Sequence, residues 1–143
     1  MRTLRLLFIV TLLTACSADD SNNNCNLLLD VNVNVTVDLN LPQFNQLNFT
    51  GGVAYVSGQG NGGIYLIRVN NQTILAWDGA DPNFSLSNCS IMTLDGTNVS
   101  SSCNGGNEFS LFTGGPVGNN PPPCPLKPYR VQPIGNNSYV VTD

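Results

Sequence analysis

The chain has 143 residues, of which only 10% are charged, and its nine acids against five basic residues give a formal net charge of −4. That balance argues against a nucleic-acid partner and against electrostatic attraction to a membrane. Histidine is absent, which removes the usual general base, the commonest metal ligand and the physiological pH switch together.

At the start of the chain, Arg2 and Arg5 precede the apolar run Leu6-Leu7-Phe8-Ile9-Val10-Thr11-Leu12-Leu13, the pattern of a secretory signal. The run is too short to span a bilayer as a mature helix. It stops at Leu13-Thr14-Ala15-Cys16, which resembles the lipobox at which bacterial lipoproteins are cut and acylated. The resemblance implies a signal over residues 1–15, a mature chain beginning at an acylated Cys16, and anchorage in a lipid bilayer. Several acyl chains at ~0.8 kcal/mol per buried CH₂ would make that attachment effectively permanent. Residues 16–26 read as a lipidated flexible tether, polar and small, with the acidic pair Asp19-Asp20. Such a pair beside an acylated cysteine resembles the surface-export signals of Bacteroidetes lipoproteins, so the expected address is the cell envelope, at the outer membrane. Loss of Arg2 and Arg5 leaves three cations against nine acids, a formal charge of −6.

Residues 27–143 read as one all-β domain. Val31, Val33, Val35, Val37, Leu39 and Leu41 alternate strictly with polar residues and predict a half-buried strand over 31–41. A strand at 52–56, a glycine-rich hairpin turn at 58–63, a strand at 64–69, a tight Asn70-Asn71 turn and a strand at 73–77 predict an antiparallel meander. Short strands at 91–94, 97–100 and 108–112 predict a small two-hairpin subdomain. Further strands at 129–131 and 138–141 flank the turn Gly135-Asn136-Asn137. No helix is expected beyond the signal, and no repeat of fixed period occurs.

The second half of the chain carries an ordered set of features similar to those of Rieske proteins. Trp77-Asp78-Gly79-Ala80-Asp81-Pro82-Asn83 resembles their first cluster loop, with Asp81-Pro82-Asn83 where the family has Cys-Pro-His. Ser102-Cys103-Asn104-Gly105-Gly106-Asn107-Glu108-Phe109 resembles the second loop, Cys-Pro-Cys-His-Gly-Ser followed by an aromatic strand. Phe109-Ser110-Leu111-Phe112-Thr113-Gly114-Gly115-Pro116 is similar to the stretch leading from that aromatic through a glycine turn to Gly-Pro. Pro125-Leu126-Lys127-Pro128-Tyr129-Arg130-Val131 matches the closing Pro-Leu-x-x-Tyr-x-Val. The resemblance implies a Rieske-like antiparallel sandwich with a small cluster-binding subdomain. It also implies a [2Fe–2S] electron-transfer centre, which needs two thiolates and two imidazoles. The four ligand positions here hold Asp81, Asn83, Ser102 and Gly105, and a one-residue shift in the second loop would bring Cys103 to a ligand or disulfide position. The expectation is therefore a degenerate cluster site, with no cofactor, no metal and a structural or binding role.

Beyond Cys16 the cysteines are Cys25, Cys89, Cys103 and Cys124, an even number that an exported chain would oxidise, with three possible pairings. Many Rieske proteins join their two cluster loops by a disulfide. The resemblance thus implies Cys89–Cys103, leaving Cys25–Cys124. A four-thiolate site is disfavoured because no Cys-x-x-Cys pair occurs. Asp78, Asp81 and Glu108 could supply a carboxylate pair for hydrolysis but read as solvated loop acids. Ser101, Ser102 and Ser110 lack a histidine base, so no catalytic residue and no enzymatic activity are expected. Trp77, Tyr55, Tyr65 and Tyr129 read as core or sheet-face residues before they read as a sugar platform. The remaining partner classes are an envelope protein or a glycan.

Overall fold

A computed structural model describes residues 24–143. The signal, Cys16 and most of the tether lie outside the described residues. Ten strands follow in chain order: β1 Asn34–Asp38, β2 Val53–Val56, β3 Ile64–Arg68, β4 Ile74–Asp78, β5 Thr93–Asp95, β6 Asn98–Ser100, β7 Glu108–Ser110, β8 Pro116–Val117, β9 Pro128–Gly135 and β10 Ser138–Thr142. They form a six-stranded sheet, β1-β10-β9-β4-β3-β2, and a four-stranded sheet, β5-β6-β7-β8, with antiparallel neighbours throughout.

The fold is all-β, as the alternation in the sequence predicts. Val37 on β1 and Ala54 on β2, the two edges of the large sheet, belong to one buried cluster with Ile64, Leu66, Ala76, Tyr129 and Val141. The sheet therefore curls so that both edges face a common interior. β3 is buried along its whole length because its two faces serve different cores. Ile64 and Leu66 point into the curl. Tyr65 and Ile67 meet Met92, Val99, Phe109, Leu111 and Leu126 beneath the small sheet. This explains why β3 reads as a nearly continuous apolar run, whereas a strand with one wet face alternates.

Joining the two halves of the large sheet is a short seam. β4 and β9 pair only at Ala76↔Tyr129 and Trp77↔Pro128, extended by the Asp78 N–H donating to the Lys127 carbonyl at 2.9 Å. What closes this seam also forms one wall of the candidate site.

Several expectations need correction. The ladder predicted over 31–41 is hydrogen-bonded to β10 only from Asn34 to Asp38. Side-chain alternation continues past it, with Val33, Val37 and Leu39 buried, but the backbone turns at Asp38–Leu41. A 3₁₀ segment at Pro42–Asn48 was not expected; it starts on a proline and buries Phe44 and Leu47, spaced by three as the 3₁₀ period requires. Seven residues are too few to register as helical periodicity. The buried Arg68 ties this segment down, its Nε donating to the Leu47 carbonyl at 2.7 Å. The small subdomain is a four-stranded meander rather than two hairpins, because β8 adds to β7 through Phe109↔Pro116.

Candidate functional site

Three loops converge where the resemblance places a cluster: the segment after β4, the segment after β6, and the proline-rich approach to β9. Their meeting point is organised by Asp78 and Asp81, both fully buried.

Asp78 continues the inward face of β4 set by Ile74 and Ala76. Its Oδ1 accepts from the backbone N–H groups of Gly62 at 3.0 Å and Ala80 at 2.9 Å. Its Oδ2 accepts from the Asn61 N–H at 2.8 Å, the Asn61 Nδ2 at 2.9 Å and the Tyr129 hydroxyl at 2.6 Å. Five donors around an acceptor-only group leave it no capacity for a ligand. The glycine-rich stretch 58–63 is the hairpin turn between β2 and β3 and also a cradle for a carboxylate. Gly60, at φ +65°, is required there, since a Cβ would stand 2.7 Å from the Tyr129 hydroxyl and 2.9 Å from Asp78 Oδ2. Burial, then the hydrogen bond to Asp78 and its charge, push the Tyr129 hydroxyl well above the usual tyrosine range.

Asp81 is the hub of the loops themselves. Oδ1 accepts from the N–H and Nδ2 of Asn83 at 2.9 and 3.0 Å. Oδ2 accepts from the Ser101 hydroxyl at 2.6 Å and the Asn107 Nδ2 at 2.9 Å, both on the second loop. Asn83 reaches the third loop, its Nδ2 donating to the Cys124 carbonyl at 3.0 Å and its Oδ1 accepting from the Cys124 N–H at 2.9 Å. Cys89 is bonded to Cys103 across the first two loops, with Cα atoms 4.9 Å apart, and Cys25 to Cys124, with Cα atoms 5.5 Å apart. The first is the pair that the resemblance implies and the second the pair it leaves.

The four degenerate positions separate into two kinds. Asp81 and Asn83 are brought together as the clamp between loops. Ser102 and Gly105 are exposed and stand outside it, Ser102 donating its N–H to the Cys89 carbonyl at 2.9 Å and Gly105 occupying a φ of +94°. A two-thiolate, two-imidazole cluster does not fit this donor set: the four positions offer no thiolate or imidazole, Cys89 and Cys103 are spent on each other, and the sequence has no histidine. Among the described residues no group of three or more His, Cys, Asp or Glu side chains is arranged to hold a metal ion.

Reading Asp78 and Asp81 as solvated loop acids is wrong, because both are buried and saturated. Nor do the acids gather: Glu108 is exposed on β7, where Oε1 accepts from Asn98 Nδ2 at 2.7 Å. Ser101 is the donor to Asp81 rather than a free nucleophile. Among the aromatics, the Tyr65 hydroxyl donates to the Met92 carbonyl and Trp77 Nε1 to the Leu111 carbonyl, so both are pinned into the core beneath the small sheet. Tyr55 is half-exposed, with its hydroxyl on the Gly62 carbonyl at 2.9 Å and its ring 4.8 Å from that of Tyr65. Sequence reasoning missed Asn61, Ser101 and Asn107 as partners. The inward parity of Asp78 after Ile74 and Ala76 was the one signal that could have revealed a buried acid seeking donors.

No protein-family model matches the chain, and no curated protein matches it. Among solved structures, it is similar to a chain of the complex of reduced oxygenase and oxidized ferredoxin in carbazole 1,9a-dioxygenase. The match covers 65% of this chain and 82% of that one, at 24% identity and a TM-score of 0.41. A TM-score at that level does not identify a fold, and the architecture rests on the strand order and registers given above.

Proposed function

We propose that this is a lipid-anchored protein of the bacterial cell envelope in which a Rieske-like fold has exchanged its redox centre for a structural clamp and serves as a binding scaffold, not as an enzyme. The observation that carries this reading is Asp81, which stands at a ligand position of the resemblance and accepts four hydrogen bonds, two from Asn83 within its own loop and two, from Ser101 and Asn107, that tie the first loop to the second. A buried acid with every lone pair engaged does the work of holding loops together and has nothing left for chemistry. The anchoring half of the proposal rests on the lipobox at Cys16.

From Pro82 to Leu126 the only charged residues are Asp95 and Glu108, and the exposed loops are rich in Asn, Ser and Gly. That surface suits an uncharged partner, a glycan or another envelope protein, over a charged one. Metal analysis and an absorption spectrum of the mature protein, purified from cells with active cluster assembly, test the site. The expected result is a colourless protein without stoichiometric iron; bound iron with a visible chromophore overturns it. Intact-mass analysis tests the anchor, with an acylated N-terminal Cys16 expected and any other mature N-terminus decisive against it. Pull-down from envelope extracts tests the scaffold role.

A further inference from the structure

The segment just after the tether has an unexplained feature. Leu27, Leu28 and Leu29 follow one another where the chain enters the domain, and Leu27 and Leu29 are 40% and 62% exposed. Looseness of the backbone is not the cause. Leu29 donates its N–H to Asn61 Oδ1 at 2.9 Å, and its carbonyl accepts from Asn61 Nδ2 at 3.1 Å and Lys127 Nζ at 2.9 Å. Two residues before the triplet, the Cys25–Cys124 disulfide fixes the arm to the proline-rich loop. A rigidly held backbone therefore presents leucines outward.

Leu28 lines a groove of about 580 Å³ together with Pro82, Pro125, Leu126 and Pro128, a size within the range of about 300–1,000 Å³ typical of small-ligand sites. Among the described residues, Asp30 and Lys127 are the only charged ones lining it, and they neutralise each other at 3.2 Å. This face is thus apolar and electrically balanced on a chain that is otherwise acidic. Cys16 lies nine residues before Cys25, and nine extended residues span at most about 30 Å.

We infer that the 27–29 triplet and its groove form a second membrane contact, seated on the surface of an uncharged phospholipid bilayer. The inference deepens the proposed anchoring at Cys16 and rests on it. Neutrality matters because an unpaired charge would have to be stripped of water to seat at the headgroup boundary, and the Asp30–Lys127 pair leaves none on this face. The leucines and groove supply apolar area to bury at the headgroup boundary. The short tether holds that face within reach of the bilayer, and the disulfide prevents the tether's root from separating from it.

The test uses the full acylated chain in phosphatidylcholine vesicles, with the photoreactive residue p-benzoylphenylalanine replacing either Leu29 or Ile134. Ile134 is a matched control: it is 56% exposed and lies six residues along β9 from Pro128, about 20 Å away. After irradiation, mass spectrometry is expected to find phospholipid adducts at least ten-fold more abundant at position 29 than at 134. The same probe at Pro125, on the exposed rim of the groove, gives the same reading if the first variant misfolds. Vesicle flotation is scored separately. A chain that floats but forms no excess of lipid adduct at 29 or 125 overturns the membrane contact and leaves the anchor standing. A chain that does not float overturns both. Cross-linked dimers in place of lipid adducts overturn the inference by showing that the face packs against a second copy.

Discussion

Asp78 and Asp81 are both fully buried and stand three residues apart, yet they are held in opposite ways. Asp78 sits at the end of a strand and draws three of its five hydrogen bonds from backbone N–H groups. Its partners lie in the glycine-rich cradle, on Ala80 just after the strand and on Tyr129, across the seam that joins the halves of the large sheet. Asp81 sits in a loop and draws three of its four from side chains. Around it the strands are two or three residues long and a disulfide replaces ladder length. The large sheet is thus closed by backbone and buried area, the small region by side-chain chemistry and a covalent staple. A region of the second kind keeps its shape through a polar centre that ties its loops together.

Four measurements would break or sharpen this contrast. Asp78→Ala is expected to have the largest effect, about 4 kcal/mol lost from the urea-unfolding free energy, because it orphans buried donors and opens the seam. Replacing Cys89 and Cys103 together by serine removes a cross-link with a sequence separation of 14, expected to cost about 3 kcal/mol. Hydrogen exchange should then rise in residues 101–107 before it rises in β3. Asp81→Asn keeps an acceptor for Asn83 but turns an amide NH₂ toward Ser101 and Asn107, with an expected loss of about 2 kcal/mol and the same local signature. If that variant instead unfolds β3 and the small sheet in one step, the two regions are a single cooperative unit and the contrast fails.

The smallest effect concerns Tyr129. Tyr129→Phe deletes its hydrogen bond to Asp78, an expected loss of about 1.5 kcal/mol at neutral pH. Because the folded hydroxyl keeps its proton beyond the pH at which an unfolded tyrosine ionises, its contribution is complete below pH ~10 and is lost as pH rises through the higher folded value. The wild-type chain should therefore lose stability above pH ~10 more steeply than Tyr129→Phe does in denaturant titrations at several alkaline pH values.

Much of the fold is legible in the sequence. β2, β3 and β4 lie within a residue or so of where alternation and turn residues place them, and Val33, Val37 and Leu39 are buried as their parity requires. The candidate site was legible only in outline. Resemblance located the loops, but the acids in them were misread as solvated, because a lone Asp in a loop carries no local mark of the donors that will surround it. Asn61 and Tyr129 reach Asp78 from 17 residues before and 51 after it in sequence, and Asn107 reaches Asp81 from 26 residues after it.

What the sequence by itself determined is therefore local: the all-β class, the strand faces and the absence of histidine, each a property of residue type or of a two-residue period. What only the tertiary structure decided is how the chain closes. That includes the curl that gives β3 two cores, the saturation of Asp78 and Asp81, and the exposed leucines on a rigid arm beside an apolar groove. Each of these depends on groups far apart in sequence meeting at hydrogen-bond or van der Waals distance. No window of residues encodes such a meeting, because it is fixed by the packing of the whole chain.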